Sequence, residues 1–183
     1  MTRVFIGGSR KITVLPLPVI NRLDNIINQG FAVLIGDANG ADKCVQKYLA
    51  DKGYRRVTVF CMGETCRNNL GNWETRNITA EKTAKGSDFY AIKDRAMADE
   101  ASCGLMIWDA KSNGTLNNVM NLIQQRKKVL VYFSPDQSFH TVRDGRDLSD
   151  LLAKCDRQNV VRFEKKLAIT QRLSQIQPEL EWA

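Results

Sequence analysis

Phe31-Ala32-Val33-Leu34-Ile35-Gly36-Asp37-Ala38-Asn39-Gly40-Ala41-Asp42 is the stretch that decides the fold. It opens on five apolar residues in a row, which reads as a strand covered on both faces. Gly36 to Gly40 closes the strand with a short glycine-bearing turn. Ala41 to Lys52 then sets Val45, Tyr48 and Leu49 on one helical face, with Gly53 as the stop.

The same unit repeats on either side. Upstream, Arg3–Ile6 is an apolar run ended by Gly7-Gly8-Ser9-Arg10. A helix follows through Val19, Ile20, Leu23, Ile26 and Ile27, stopped by Gly30. Downstream, Val57–Phe60 reads as a third strand. Met62 to Ser87 is polar and without period, and loops of such length are often functional. A helix from about Asp88 to Ser102 leads to a strand over Leu105–Trp108. The turn Asp109–Thr115 opens a helix over Leu116–Gln125, and Val129–Phe133 is a fifth strand closed by Ser134-Pro135.

Strands and helices alternate, and the strands are continuous apolar runs. This predicts an α/β fold with three layers: a Rossmann-like, doubly wound parallel sheet of about five strands. After Pro135 the rhythm changes. Leu148, Leu151, Leu152 and Cys155 fall at helical spacing, Val160 to Phe163 reads as a strand or a helix start, and Leu167 to Ile176 reads as helix. Residues 1–135 are therefore taken as one domain. Residues 136–183 are taken as a mainly helical appendage that packs on it or lies at a dimer interface.

The chain has 183 residues and a net charge of +7. All of that excess lies before Asp136, with 19 basic against 12 acidic residues there and 8 against 8 beyond. A basic balance favours anionic partners. No apolar run reaches the ~18 residues of a membrane span, and no signal peptide opens the chain, so a cytoplasmic protein without a membrane partner is expected. Five cysteines and a single His140, with no CxxC, fit no zinc site, so no metal is expected and the thiols are read as reduced.

Three glycine-bearing loops follow strands and open helices, and in a parallel sheet they share one edge. Ligands bind outside that edge, where helix N-termini offer free N–H groups to phosphate. Neither GxGxxG nor GxxxxGK[ST] occurs. Trp73, in the long polar segment, is a candidate for stacking on a base. Trp108 reads as core.

The segments FIGGSR (Phe5–Arg10), LIGDANGADKCVQKYL (Leu34–Leu49) and IKDRAMADEASCGLMIWDAKSNGTLNNV (Ile92–Val119) resemble the SLOG superfamily, which includes the DprA, LOG and YspA-like proteins. The resemblance spans roughly residues 3–135. It implies a Rossmann-like sheet that binds nucleotides or nucleotide-derived molecules, as a homodimer or higher homo-oligomer. Carried over by position, Gly8, Ser9 and Arg10 form the first ligand loop. Gly36, Asn39, Gly40, Ala41 and Asp42 form the second, with Asp42 capping its helix. Asp109, Lys111, Ser112, Gly114 and Thr115 form the third. Lys93, Asp94, Arg95 and Met97 match an R-N-x-x-M stretch, with Asp94 where Asn is usual. LOG enzymes carry a Glu four residues after the glycine of their G-T pair; Asn118 stands there here.

The leading expectation is a binding protein for a nucleotide or ribose-phosphate ligand, lacking the LOG-type Glu and needing no cofactor. Hydrolysis or transfer at a nucleotide N-glycosidic bond is the alternative, with Asp94 or Asp109 as the catalytic carboxylate. DprA-like binding of single-stranded DNA is the second alternative. The expected partner is a small nucleotide-like molecule. Nucleic acid is set aside, because no helix presents a Lys/Arg-rich face.

Overall fold

The computed structural model describes residues 1–79 and 87–175. The strands are β1 (Arg3–Gly8), β2 (Ala32–Gly36), β3 (Val57–Met62), β4 (Glu74–Ile78), β5 (Cys103–Trp108), β6 (Val129–Phe133) and β7 (Ser138–Val142). The helices are α1 (Leu17–Asn28), α2 (Ala41–Asp51), α3 (Ser87–Glu100), α4 (Asn113–Gln124), α5 (Gly145–Leu152), α6 (Arg157–Leu167) and α7 (Ile169–Ser174). No helix among the described residues is long and apolar enough to cross a membrane.

The strands form one sheet in the order β4-β3-β2-β1-β5-β6-β7, parallel except for β7. The chain walks outward from β1 through β4, crosses back to β5, and walks out the other way. The order therefore reverses between β1 and β5, where Ile6 lies opposite both Ile35 and Leu105.

Alternate residues of each strand feed opposite faces. Val4 and Ile6 join Val33, Ile35, Val57 and Val59 beneath Val19 and Leu23 of α1 and Val45 and Leu49 of α2. Phe5, Leu34, Phe60 and Met106 join Met97 of α3, and Leu116 and Val119 of α4, on the other side. Leu148 and Leu151 of α5, Phe163 of α6 and Ile169 of α7 belong to this second cluster, so the last three helices share the sheet's core. Trp108 is fully buried, its ring 5.6 Å from that of Phe133 and 5.7 Å from that of Phe163.

The α/β class and the doubly wound parallel sheet stand as read, with seven strands where about five were counted. β4 lies at the sheet's edge inside the segment read as a loop; its sequence ETRNI is almost wholly exposed and carries no apolar run. β7 folds back on β6 as a hairpin. Val160, Val161 and Phe163 lie in α6. Residues 80–86 of the long polar segment, and Ile176, fall outside the described residues.

One cysteine reading is corrected. Cys61, near the end of β3, is disulfide-bonded to Cys66, because the turn after the strand brings their Cα atoms to 5.0 Å. Cys44, Cys103 and Cys155 are free.

Candidate functional site

The reversal point is held together by Ser9. Its Oγ donates to Asp109 Oδ1 at 2.8 Å and accepts from the Asp109 backbone N–H at 3.1 Å, while its own N–H donates to the Ile107 carbonyl at 2.9 Å. The loops after β1 and β5 are thus one construction. A Cβ on Gly8 would stand 2.5 Å from the Ile107 oxygen and 2.6 Å from Ala41 Cβ, so only glycine lets the two strands and α2 come together here. Gly40, the residue before α2, has φ +86° and lies against the Arg10 backbone, which a side chain would strike.

Asp109 shapes the third loop. Its Oδ1 also accepts from the N–H groups of Lys111 (2.9 Å) and Ser112 (2.8 Å). Ala110 between them is held at φ 58°, the left-handed region that alanine avoids. Ser112 caps α4, its Oγ accepting from the Thr115 N–H at 3.3 Å and from Thr115 Oγ1 at 3.0 Å. With one oxygen so committed, Asp109 is built as the organiser of the loop.

A buried charge cluster lies behind the second loop. Asp37, at the end of β2, accepts from Lys93 Nζ at 2.8 Å and from the Arg67 fork at 2.6 and 3.1 Å. Asp37 and Lys93 are 2% exposed. Burial opposes ionisation of Asp37, but the hydrogen bonds of Arg67 and Lys93 outweigh it and hold the carboxyl well below its usual range. Burial pushes Asp42 the other way, to about 7, with Lys93 opposing and Asp94 and Asp37 adding to the rise. Asp94 is also raised, by burial first, against Lys93 and a hydrogen bond from Asn118.

These elements wall a groove of about 1010 Å³. Gly8, Arg10, Asp42 and Asp94 line it together with Asp109, Lys111, Ser112, Gly114 and Thr115. Ser9 and Gly36 lie beneath the walls, fully or nearly buried. Asn39 is exposed and accepts from Asn68 Nδ2 at 3.1 Å. Arg95 is exposed on α3 and does not line the groove.

Two placements differ from the sequence reading. Asp42 does not cap α2: Gly40 is the capping residue, and Asp42 sits buried in the first turn, accepting from the Ala38 N–H at 3.4 Å. Trp73 is no stacking platform for this groove. Its Nε1 donates to the Tyr54 carbonyl at 2.7 Å and its ring packs with the core cluster under α1 and α2, at the start of β4.

Other residues enter that sequence reasoning missed. Arg67 comes from the long polar segment, and Tyr90 from the start of α3. The Arg10 and Arg67 guanidinium carbons lie 5.3 and 4.9 Å from the centre of the Tyr90 ring. From the tail come Arg162 and Lys166 of α6 and Arg172 of α7. Arg162 donates to the Lys111 carbonyl at 2.8 Å, and Arg172 to Asn117, Asn121 and Gln124 of α4. The tail is neutral as a segment but not as a face. Among the described residues Asp144 and Asp156 cap helices, Asp147 pairs with Arg143, and Glu164 accepts from Thr170, whereas Arg162, Lys166 and Arg172 line the groove.

No protein-family profile matches the chain, and no curated protein matches it. Among solved structures it is similar to DNA processing protein A from Helicobacter pylori, described for its single-stranded DNA binding mode. The TM-score is 0.56 at 13% identity, over 91% of this chain and 80% of that one. This chain has a DprA-like, Rossmann-like fold.

That finding corrects one expectation. Nucleic acid was set aside as a partner for want of a basic helix face, yet a DprA of this fold binds single-stranded DNA. The cations that line the groove come from loops and from two tail helices. In the DprA-like frame the charge count along the chain underestimates the charge around the groove.

Proposed function

We propose that the groove binds single-stranded DNA, seating one nucleotide unit between the three loops while the basic rim holds flanking phosphates. The observation that carries this reading is the convergence of Arg10, Lys11, Lys111, Arg162 and Lys166 on the mouth of a groove at the strand-order reversal. Cations at such a mouth neutralise backbone phosphates and release counterions. The N-terminus of α4 lies in the same wall, and helix N-termini favour phosphate. The DprA-like fold supports the same choice, and on the residues quoted above we place the chain within the SLOG group.

A second reading, a free nucleotide as ligand, is favoured by the carboxylates Asp42 and Asp94 within the groove, which no phosphate track requires. Fluorescence anisotropy with a labelled oligo-dT, repeated across salt concentrations, separates the two. Strand binding gives a log K that falls steeply with log salt, by about 0.7 per phosphate contact for single strands. A Lys11→Ala/Lys166→Ala variant then shows weaker binding and a shallower slope. No binding to any oligonucleotide at low salt, with a thermal shift from mononucleotides, would replace the first reading by the second.

A further inference from the structure

The groove contains an acceptor-rich corner that phosphate binding leaves unused. Asn118, on the first turns of α4, is 7% exposed and lines the groove, and its Oδ1 has no hydrogen-bond partner. A buried amide oxygen without a donor is costly, by about 1–3 kcal/mol, and points to a group that arrives with a ligand. Asp94, on α3, faces it. Both side chains line the groove, within reach of each other. Although Lys93, Arg10 and Arg67 surround Asp94, it forms no ion pair among the described residues. Most of the acceptor capacity of this carboxylate is therefore open, beside an orphaned amide oxygen.

Such a pair takes a ligand edge with two adjacent donors. Among the DNA bases, thymine has one N–H between two carbonyls. Adenine and cytosine each place an amino group next to a ring-nitrogen acceptor. Guanine alone places N1–H beside its N2 amino group. Its opposite edge offers O6 and N7, which a guanidinium bridges well. Arg10 lines the groove with no hydrogen bond from its guanidinium among the described residues, poised over Tyr90.

We propose that Asp94 and Asn118 select guanine at the seated nucleotide, with Arg10 on the far edge of the base. This rests on the reading of the groove as a nucleotide site, and the test separates the two. Anisotropy is measured with oligo-dT carrying one central dG, dI, dA or dC, and with GMP or IMP as competitors. The dG strand binds about tenfold tighter than plain oligo-dT, and dI, which lacks the N2 amino group, loses that gain. Asp94→Asn makes the dG and dI strands bind alike.

Competition by GMP but not IMP shows the same readout for a free nucleotide. Equal binding of dG and dI strands to the unaltered protein overturns the guanine assignment while leaving the nucleotide site standing. That comparison needs no variant to fold. A dG preference intact in Asp94→Asn overturns it too. If neither strands nor mononucleotides bind, both readings fall.

Discussion

Ser9 and Asp109 are separated by a hundred residues and bind each other twice, hydroxyl to carboxylate at 2.8 Å and backbone N–H to hydroxyl at 3.1 Å. The pair fastens the loop after β1 to the loop after β5 at the one place where the sheet changes direction.

Ser9→Ala removes both bonds and leaves the half-buried Asp109 carboxylate without its Ser9 donor. A loss of about 1–3 kcal/mol of stability is expected, read as a shift of the urea midpoint. Oligonucleotide affinity falls as well, because the Asp109 turn positions Lys111 and Ser112.

Asp37→Asn strands Lys93, whose side chain is 3% exposed and has Asp37 as its ion-pair partner. Breaking a buried pair from one side costs about 3–5 kcal/mol. Equilibrium unfolding measures it. A change below 1 kcal/mol, roughly that of an exposed pair, would show that water reaches this cluster.

Asp42 sets a pH dependence of opposite sign to that of Asp37. Its folded value, near 7, lies above the usual 3.8, so the folded chain holds a proton that the unfolded chain has released. Stability therefore falls as pH rises from about 4 to about 7, and levels off beyond. Asp37, depressed on folding, contributes stability above its unfolded value that is lost as pH drops below it. Unfolding midpoints measured across this range should decline from mildly acidic to neutral pH. Asp42→Asn should flatten that decline.

The Cys61–Cys66 bond closes a short loop directly before Arg67. Loop-closure entropy assigns such a bond about 2 kcal/mol. Adding a dithiol should lower the melting temperature accordingly. Cys66→Ser should start at the lower value and ignore the dithiol.

Five strands were legible because their apolar runs have to be buried on both faces: Val4–Ile6, Phe31–Ile35, Val57–Phe60, Leu105–Trp108 and Val129–Phe133 all fall on or within a residue of observed strands. β4 escaped because an edge strand needs no apolar run, and Glu74 to Asn77 are all exposed. The loop residues of the groove could be found because glycine and a capping serine mark strand-to-helix turns; Gly8, Gly40 and Ser112 are such marks. Arg67 and Tyr90 carried no mark, since each depends on a tertiary partner, Asp37 for one and a pair of guanidinium groups for the other. Arg162 and Lys166 were hidden in a segment with no net charge; among its described acids Asp144 and Asp156 cap helices and Asp147 pairs locally with Arg143.

The bond from Arg162 to the Lys111 carbonyl ties α6 to the loop before α4, 51 residues earlier. On a growing chain every strand from β1 to β7 has been made by the time synthesis reaches Val142, yet the mouth still lacks Arg162, Lys166 and Arg172. The outer wall of the groove thus arrives only after the sheet that supports it, and the groove takes its full charge only once α6 and α7 have docked.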